Sequence, residues 1–167
     1  MTRYERLMLY RLALRQPPGA VIVEIGSYVG ASTCFLAAAA LEIQGARLHC
    51  VDTWENEGMS EGPRDTWQHF QYNTREYRHV IEPHRGKSLN IVKTFTRRID
   101  LIFIDGDHSY KGCHGDVVNW LPLVRAGGCV ILHDLEWAEG VQRVVNEDLR
   151  PLTKREGMLP NLYWAWI

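Results

Sequence analysis

Acidic and histidine side chains follow two apolar segments of strand length in the middle of the chain. The first segment, residues 99–104, leads into Asp105 and His108, and the second leads into His133 and Asp134. About one helix separates the two segments, which predicts a βαβ unit that carries its polar residues at the strand ends. Ligands bind outside the carboxyl ends of the strands in an open parallel sheet, so these residues are the first candidates for a functional site.

The types of these residues indicate two kinds of chemistry. Asp105 and Asp134, at adjacent strand tips, are hard oxygen ligands suited to Mg²⁺, with Mn²⁺ or Ca²⁺ as substitutes. An imidazole with a pKa of about 6.5, such as that of His108, can take a hydroxyl proton at neutral pH. The alternatives are structural, because His108 can begin a helix beside the predicted N-cap Ser109, and Asp134 can cap the segment that follows it.

Earlier elements must position these groups. Residues 20–26 form an almost continuous apolar run, which is typical of a buried parallel strand, and a helix is predicted over 31–43. The turn between them carries Glu24, Gly26 and Gly30, and glycines at such a turn let the backbone approach a ligand closely. The spacing is Gly-x-x-x-Gly, with no Gly-Lys-Ser/Thr at this turn, which argues against NAD and ATP as ligands.

A second strand, residues 47–51, ends at Asp52, about 20 residues after Gly30. An acid at this place can accept hydrogen bonds from the two hydroxyls of a ribose. A helix cap or a solvated loop residue is the alternative for Asp52 taken alone. Together, the glycine turn and Asp52 predict a ribose-binding site.

The remaining segments complete a single predicted domain over residues 1–167. In chain order they are an N-terminal helix in 1–18 with a Thr2–Glu5 capping box, a lid or substrate wall in 54–77, an edge strand over 80–84, a helix over 88–97, a last helix over 137–149, and a terminal β-hairpin in 150–167 with a turn near 156–157. The alternation of strands and helices predicts an α/β fold.

Bulk composition narrows the classes of partner. The chain has 167 residues, 46% of them hydrophobic and 23% charged, which is ordinary for one globular domain. Its net charge of −1 favours neither nucleic acid nor a membrane surface as a partner. The four cysteines form no C-x-x-C pair, and the N-terminus has no signal-peptide core. We therefore expect reduced thiols and a cytoplasmic protein.

The motifs together resemble those of the class I S-adenosylmethionine-dependent methyltransferases. The resemblance is carried by Val23–Ser32, by Asp52, and by the two acidic strand ends at Asp105 and Asp134. It implies a Rossmann-like doubly wound sheet in the order 3-2-1-4-5-7-6, with strand 7 antiparallel. The residues expected at the cofactor are Glu24, Gly26, Ser27, Tyr28, Gly30, Ser32, Asp52, Trp54, Ser88 and Asp105.

More narrowly, the chain is similar to the small metal-dependent O-methyltransferases of the catechol O-methyltransferase type and their bacterial natural-product relatives. This similarity implies His108 as catalytic base, Asp105 as a second catalytic residue, and Asp105 and Asp134 as metal ligands. In the catechol type an amide residue follows the second Asp as third ligand, but here that residue is Leu135. His133 is then the expected replacement, and a histidine ligand shifts the preference towards a softer metal.

The leading hypothesis is thus metal-assisted methyl transfer to a hydroxyl of a small molecule, in a protein for which a homodimer is plausible. Ser88 is expected beside the adenine, although an ordinary helix N-cap explains it equally well. One alternative function is a non-catalytic S-adenosylmethionine-binding protein. Another is a metal-dependent oxygenase with an iron site of two histidines and one carboxylate, from His108, His133 and Asp134.

Overall fold

The computed structural model describes residues 1–56 and 62–167, whose strands pair into one seven-stranded sheet. The strands are β1 (Val21–Ile25), β2 (Arg47–Asp52), β3 (Ile81–Arg85), β4 (Ile99–Ile104), β5 (Val124–His133), β6 (Arg155–Leu159) and β7 (Leu162–Trp166). The helices are α1 (Arg3–Ala13), α2 (Ala31–Glu42), α3 (Trp67–Thr74), α4 (Ser88–Ile91), α5 (Tyr110–Trp120) and α6 (Glu139–Val144). Short helical turns cover Arg75–Tyr77, Val92–Thr94, Leu121–Leu123, Val145–Leu149 and Arg150–Leu152.

The sheet has the strand order β3-β2-β1-β4-β5-β7-β6. Strands β1 to β5 run parallel, whereas β7 pairs antiparallel with both β5 and β6. The predicted order and the antiparallel seventh strand are therefore confirmed. Strand β4 is buried along its whole length, as its mostly apolar sequence predicts, and β3 with Pro83 lies at an edge.

Apolar side chains cover the sheet on both faces. On one face, Leu9 and Leu12 of α1 and Leu36 of α2 belong to the same buried cluster as Ile22 of β1. On the other face, helices α5 and α6 pack against β1, β4 and β5, and Trp120 is fully buried there. Because helices cover both faces of the central strands, the carboxyl ends of the parallel strands are the expected place for a ligand.

Helix α1 begins with the predicted capping box. The Thr2 hydroxyl accepts a hydrogen bond from the Glu5 backbone N–H at 3.3 Å, and the Glu5 carboxylate accepts one from the Thr2 N–H at 2.6 Å. These bonds satisfy two backbone donors that a helix N-terminus otherwise leaves unpaired. Ser109 caps α5 in the same way, through the N–H of Gly112.

Several predicted boundaries were wrong. The helix expected over 88–97 is only Ser88–Ile91 followed by a short turn. The hairpin does not turn near 156–157, since those residues lie within β6 and the turn falls between β6 and β7, at 160–161. Trp137, expected on the buried face of the last helix, is 61% exposed.

Three further expectations concern cysteines, membranes and the lid. All four cysteines are free thiols, and three of them are buried. Within the described ranges, no helix combines the length and the apolar character needed to cross a bilayer. The lid expected over 54–77 is represented by α3, while residues 57–61 lie outside the described residues.

Candidate active site at the carboxyl edge of the sheet

A cavity of about 750 Å³ opens at the carboxyl ends of β1, β2 and β4. Six of the residues expected at the site line this cavity, namely Gly26, Tyr28, Asp52, Ser88, Asp105 and His108. Three strand ends thus meet at one opening, which is where the topology of an open α/β sheet places a ligand.

The glycine turn after β1 fits only glycine at two positions. Gly26 has a φ of 86°, and a Cβ there would lie 2.1 Å from the carbonyl oxygen of Asp105. Gly30 has a φ of 91°, and a Cβ there would lie 2.6 Å from the Thr74 side chain. Both positions combine a left-handed backbone with a close approach, to the backbone at Asp105 for Gly26 and to the side chain of Thr74 for Gly30.

Glu24 and Ser32 stabilise this turn from inside the core. The fully buried Glu24 carboxylate accepts hydrogen bonds from the hydroxyls of Ser32 and Thr33, each at 2.5 Å. Burial raises the pKa of Glu24 to about 6, against the opposing effect of the two hydroxyls. Ser27 is also buried, at 1% exposure. These three expected residues therefore lie behind the cavity wall.

Asp52 connects the first two strand ends. Its Oδ2 accepts a hydrogen bond from the Tyr28 N–H at 2.8 Å, and its Oδ1 accepts one from the Trp54 N–H at 2.7 Å. The carboxylate is thereby held in place at the cavity wall, at the tip of β2. A fixed carboxylate with lone pairs facing an open cavity is suited to bind hydroxyl groups of a ligand.

Trp54 lies elsewhere than expected. Its backbone takes a φ of 55° beside Asp52, and its indole is fully buried against Trp67 and Phe70, with ring centroids 4.7 and 4.8 Å away. The side chain does not line the cavity, which corrects the expectation that it lies nearest to the cofactor. Its place is explained by an aromatic cluster that packs α3 onto the sheet.

Ser88 forms part of a buried polar chain. Its hydroxyl donates to Asp116 Oδ1 at 2.5 Å and accepts a hydrogen bond from Trp120 Nε1 at 2.8 Å. Lys87, and not Ser88, occupies the cap position of α4, so the N-cap explanation of Ser88 does not apply. Asp116 also lines the cavity, and burial raises the pKa of its carboxyl to about 6.

The two acidic strand ends come together with His108. Asp105, His108 and Asp134 offer ligand atoms that all lie within 4.8 Å of one another. His108 Nε2 is 2.6 Å from Asp134 Oδ2 and 3.9 Å from Asp105 Oδ1. Asp105 and Asp134 together raise the pKa of His108 to about 9. In the free protein at neutral pH this imidazole is therefore protonated.

His133 lies behind this group. Its Nδ1 is 3.0 Å from Asp134 Oδ1 and 3.3 Å from Asp105 Oδ1, and its Nε2 is 3.3 Å from Glu5 Oε2 in α1. Burial opposes protonation, but Asp105 and Asp134 outweigh it and raise the pKa of His133 to about 10. Both ring nitrogens therefore face carboxylates, and the role of His133 as a metal ligand stays a prediction.

Asp134 is held from several sides. It takes a left-handed backbone with a φ of 63°, and its Oδ1 accepts hydrogen bonds from Trp137 Nε1 at 2.9 Å and Asn161 Nδ2 at 3.1 Å. Burial would raise the pKa of this carboxyl, yet His108 and His133 lower it well below its ordinary range. Leu135, at the place of the third ligand in catechol-type enzymes, packs against an apolar cluster and contributes no donor.

Four residues at the site were not predicted from the sequence, namely Glu5, Asn56, Asp116 and Asn161. Glu5 had an obvious local role in the capping box, and Asn161 lies in a turn 27 residues from Asp134. Asn56 lines the cavity, and its buried Oδ1 has no hydrogen-bond partner among the described residues. Only Asp116 had a sequence signal, since an acid within a helix that covers the sheet calls for a polar partner.

Backbone strain is concentrated at this edge of the sheet. Among the described residues, the non-glycine positions with positive φ are Tyr28, Trp54, Asn56 and Asp134, with φ between 46° and 63°. Each follows the carboxyl end of β1, β2 or β5 within a few residues. Such conformations cost free energy and occur preferentially at functional sites, which favours this edge as the active one.

The imidazolium–carboxylate pairs predict how stability depends on pH. Because the folded pKa values of His108 and His133, about 9 and about 10, exceed the unfolded value of about 6.5, their stabilisation is complete below pH 6.5. It is lost as the pH rises through 9 and 10. We expect the Tm in EDTA to fall between pH 7 and 10, with a smaller fall in His108→Gln. An equal fall in both proteins would contradict this assignment.

The sequence matches one protein family and at least two relatives. Residues 23–135 match the family described as "Methyltransferase domain". An uncharacterized protein of Sinorhizobium fredii is 28% identical over 131 residues, covering 71% of this chain and 13% of that protein. An uncharacterized protein of Acanthamoeba polyphaga mimivirus is 25% identical over 132 residues, covering 75% of this chain and 57% of that protein. The chain thus spans less than two thirds of these relatives.

Solved structures share the fold over nearly the whole chain. The O-methyltransferase TomG of Streptomyces achromogenes, in complex with SAM, has a TM-score of 0.75 at 20% identity, covering 100% of this chain and 81% of that chain. An O-methyltransferase of Bacillus cereus, in complex with SAH, has a TM-score of 0.74 at 19% identity, covering 100% and 82%. With the family match over residues 23–135, the chain belongs to the methyltransferase-domain family.

Proposed function

We propose that this protein transfers a methyl group from S-adenosylmethionine to a hydroxyl of a small molecule. The observation that carries the proposal is one cavity that joins Asp52 at the end of β2 with Asp105 and His108 at the end of β4. The first can hold a ribose, and the second can align and deprotonate a hydroxyl. The membership of the methyltransferase-domain family, and the O-methyltransferases among its structural neighbours, support the same reaction.

The cavity fits S-adenosylmethionine, whose sulfonium supplies an activated methyl group. Asp52 would accept hydrogen bonds from the ribose hydroxyls, and the bare backbone at Gly26 allows close approach. Ser88 and Asp116 form a polar wall on the α4 side, suited to the edge of an adenine. Asn56 also lines the cavity, and its buried Oδ1, which has no hydrogen-bond partner among the described residues, is a further acceptor beside it.

His108 would act as the base towards the acceptor hydroxyl. Its Nε2 must lose its proton before it can accept one from the hydroxyl. The negative charges of Asp105 and Asp134 beside it therefore control whether it can act as a base. His133 and Asn161 hold the two carboxylates in place from behind, which keeps the reacting groups aligned. Alignment is the main contribution that a protein makes to direct group transfer.

Asp105 and Asp134 also fit a hard divalent cation such as Mg²⁺. Two carboxylates and the His108 ring lie within 4.8 Å of one another, one of several donor sets that hold such ions. We propose that Asp105 and Asp134 bind the metal and that His133 orients them. The ion would lower the pKa of the acceptor hydroxyl and offset the negative charge around His108.

Cofactor binding tests the proposal directly. We expect micromolar binding of S-adenosylhomocysteine by calorimetry, and an affinity about 10–100-fold weaker in Asp52→Asn, because one acceptor of a charge-assisted pair is lost. Asp65→Asn is the matched control, since Asp65 is an exposed partner of Arg85 outside the cavity. Folded protein that binds no S-adenosylhomocysteine would refute the function.

Metal removal tests the second part. Dialysis against EDTA is expected to lower kcat at least about tenfold, because the ion stabilises the developing oxyanion, and Mg²⁺ should restore it. Asp134→Asn should show little response to added Mg²⁺. A rate that is the same with and without EDTA would remove the metal from the mechanism and leave the methyl transfer standing.

The oxygenase alternative receives less support from the geometry. It requires His133 as an iron ligand, yet both nitrogens of this ring already face carboxylates of Glu5, Asp105 and Asp134. Transfer of a labelled methyl group from S-adenosylmethionine would exclude oxygenation as the main reaction. Cofactor binding without any transfer would support the non-catalytic alternative.

A further inference from the structure

A second cluster of metal-ligating side chains lies outside the cavity, on the two strands at one edge of the sheet. His49 of β2 and Glu82 and His84 of β3 offer ligand atoms that all lie within 4.8 Å of one another. We propose that this cluster binds zinc or a similar divalent transition-metal ion. The proposal is independent of the methyl-transfer reaction, because none of the three residues lines the cavity.

Strand pairing fixes the three side chains on one face of the sheet. His49 lies directly opposite Glu82 in the parallel register of β2 and β3. His84 follows Glu82 by two residues on the same strand, and residues two apart in a strand point to the same side. The cluster therefore depends on regular pairing of the backbone and not on a chance approach of long side chains.

The distances are close to those of a tetrahedral site. His49 Nδ1 is 2.9 Å from His84 Nε2 and 3.4 Å from Glu82 Oε2. Two ligands bonded to zinc at about 2.0–2.1 Å are separated by about 3.3 Å at a tetrahedral angle. The two ring nitrogens, which now share one proton, need to separate by only a few tenths of an ångström. His84 is half-buried at the sheet edge and can make that adjustment.

The surroundings favour an ion held by neutral imidazoles. His49 is 1% exposed and packs edge-on against Phe95 at 5.1 Å, and its Nε2 is buried with no hydrogen-bond partner among the described residues. Nδ1 is thus the atom through which this ring can hold a ligand. Burial lowers the pKa of His49 to about 4 and also lowers that of His84. Neutral rings are the form that binds metals.

The donor set indicates the class of ion. Two imidazoles and one carboxylate suit zinc and its neighbours in the transition series, whereas Mg²⁺ prefers oxygen ligands. Glu82 is held by a second contact, since its Oε1 is 3.7 Å from Arg47 Nε, and its Oε2 is left facing His49. Three protein ligands leave a fourth position for water.

The experiment is a titration of the metal-free full-length chain with ZnCl₂ by calorimetry, and with CoCl₂ by visible absorption. We expect a zinc site whose affinity falls at least about tenfold in His84→Gln and in Glu82→Gln. Asp105→Asn, which changes the other cluster, should retain the zinc affinity. His79→Gln, which replaces an exposed histidine outside both clusters, should retain it as well. Bound Co²⁺ should give the intense visible bands of a tetrahedral complex in wild type and not in His84→Gln.

Thermal stability gives an independent readout. Because an ion that binds only the folded state stabilises it, Zn²⁺ should raise the Tm of Asp105→Asn, in which the other cluster lacks one ligand, but not that of the double variant Asp105→Asn/His84→Gln. The proposal is overturned if the wild type binds no zinc, if His84→Gln binds as tightly as wild type, or if Asp105→Asn abolishes binding. Binding of S-adenosylhomocysteine, measured in the same samples, reports separately on the proposed function.

Discussion

Replacing His108 with alanine is expected to lower kcat by about 10²–10⁴-fold, the usual contribution of a positioned general base. The affinity for S-adenosylhomocysteine should stay within about twofold, because Asp52 and Gly26 are unchanged. The measurement is steady-state methyl transfer from labelled S-adenosylmethionine, with calorimetry on the same protein. Added imidazole should restore part of the rate, since the space left by the ring lies beside an open cavity.

Two comparisons make this result specific. His79→Gln substitutes an exposed histidine remote from the cavity and should leave the rate unchanged. The Mg²⁺ affinity of His108→Ala separates its possible roles, because a base can be removed without loss of the ion, whereas a ligand cannot. Activity within about threefold of wild type would rule out His108 as the base.

Gly26→Ala is expected to cause the largest loss of stability and of cofactor binding. A Cβ at this position would meet the Asp105 carbonyl oxygen at 2.1 Å, so either β1 or β4 must move. Gly19→Ala is a matched control, because Gly19 also has a positive φ, 75°, yet a Cβ there meets nothing within 4 Å. The control isolates the cost of the left-handed backbone, about 1–2 kcal/mol.

Urea unfolding measures both variants. We expect Gly26→Ala to lose at least about 3 kcal/mol, from steric overlap added to backbone strain, or to fail to fold. Where it folds, its affinity for S-adenosylhomocysteine should fall with the displacement of Asp105, while Gly19→Ala should bind normally. Equal losses in the two variants would show that the close approach of β1 and β4 has no energetic consequence.

The sequence was sufficient for the fold because its strongest signals are local. The mostly apolar runs at β1, β4 and β5 have the length and composition of buried strands, and the glycine turn and capping box have few structural alternatives. The predicted ends of strands were wrong where a local turn preference competed with strand pairing. Glu156 and Gly157 suggested a turn, but the pairing of β6 with the aromatic strand β7 draws both residues into the sheet.

The site was predicted only as far as its residues follow strand ends. Asp52 ends β2, and Asp105 and His108 follow β4 within four residues, so topology alone places them near the opening. The contacts of His133 with both acidic residues and with Glu5 could not be predicted, because they depend on which ring nitrogen meets which carboxylate. Trp54 shows the reverse case, since a neighbour of Asp52 in sequence turned away from the cavity into the core.

The contacts of Glu5 and Asn161 have a consequence for how the protein is made. They hold His133 and Asp134 from outside the family-matching segment, one from before it and one from after it. During synthesis on the ribosome, β1 and β2, which carry the glycine turn and Asp52, emerge before β5 and β7. Asp134 therefore gains its contact with Asn161 only after β5 and β7 have both emerged and paired.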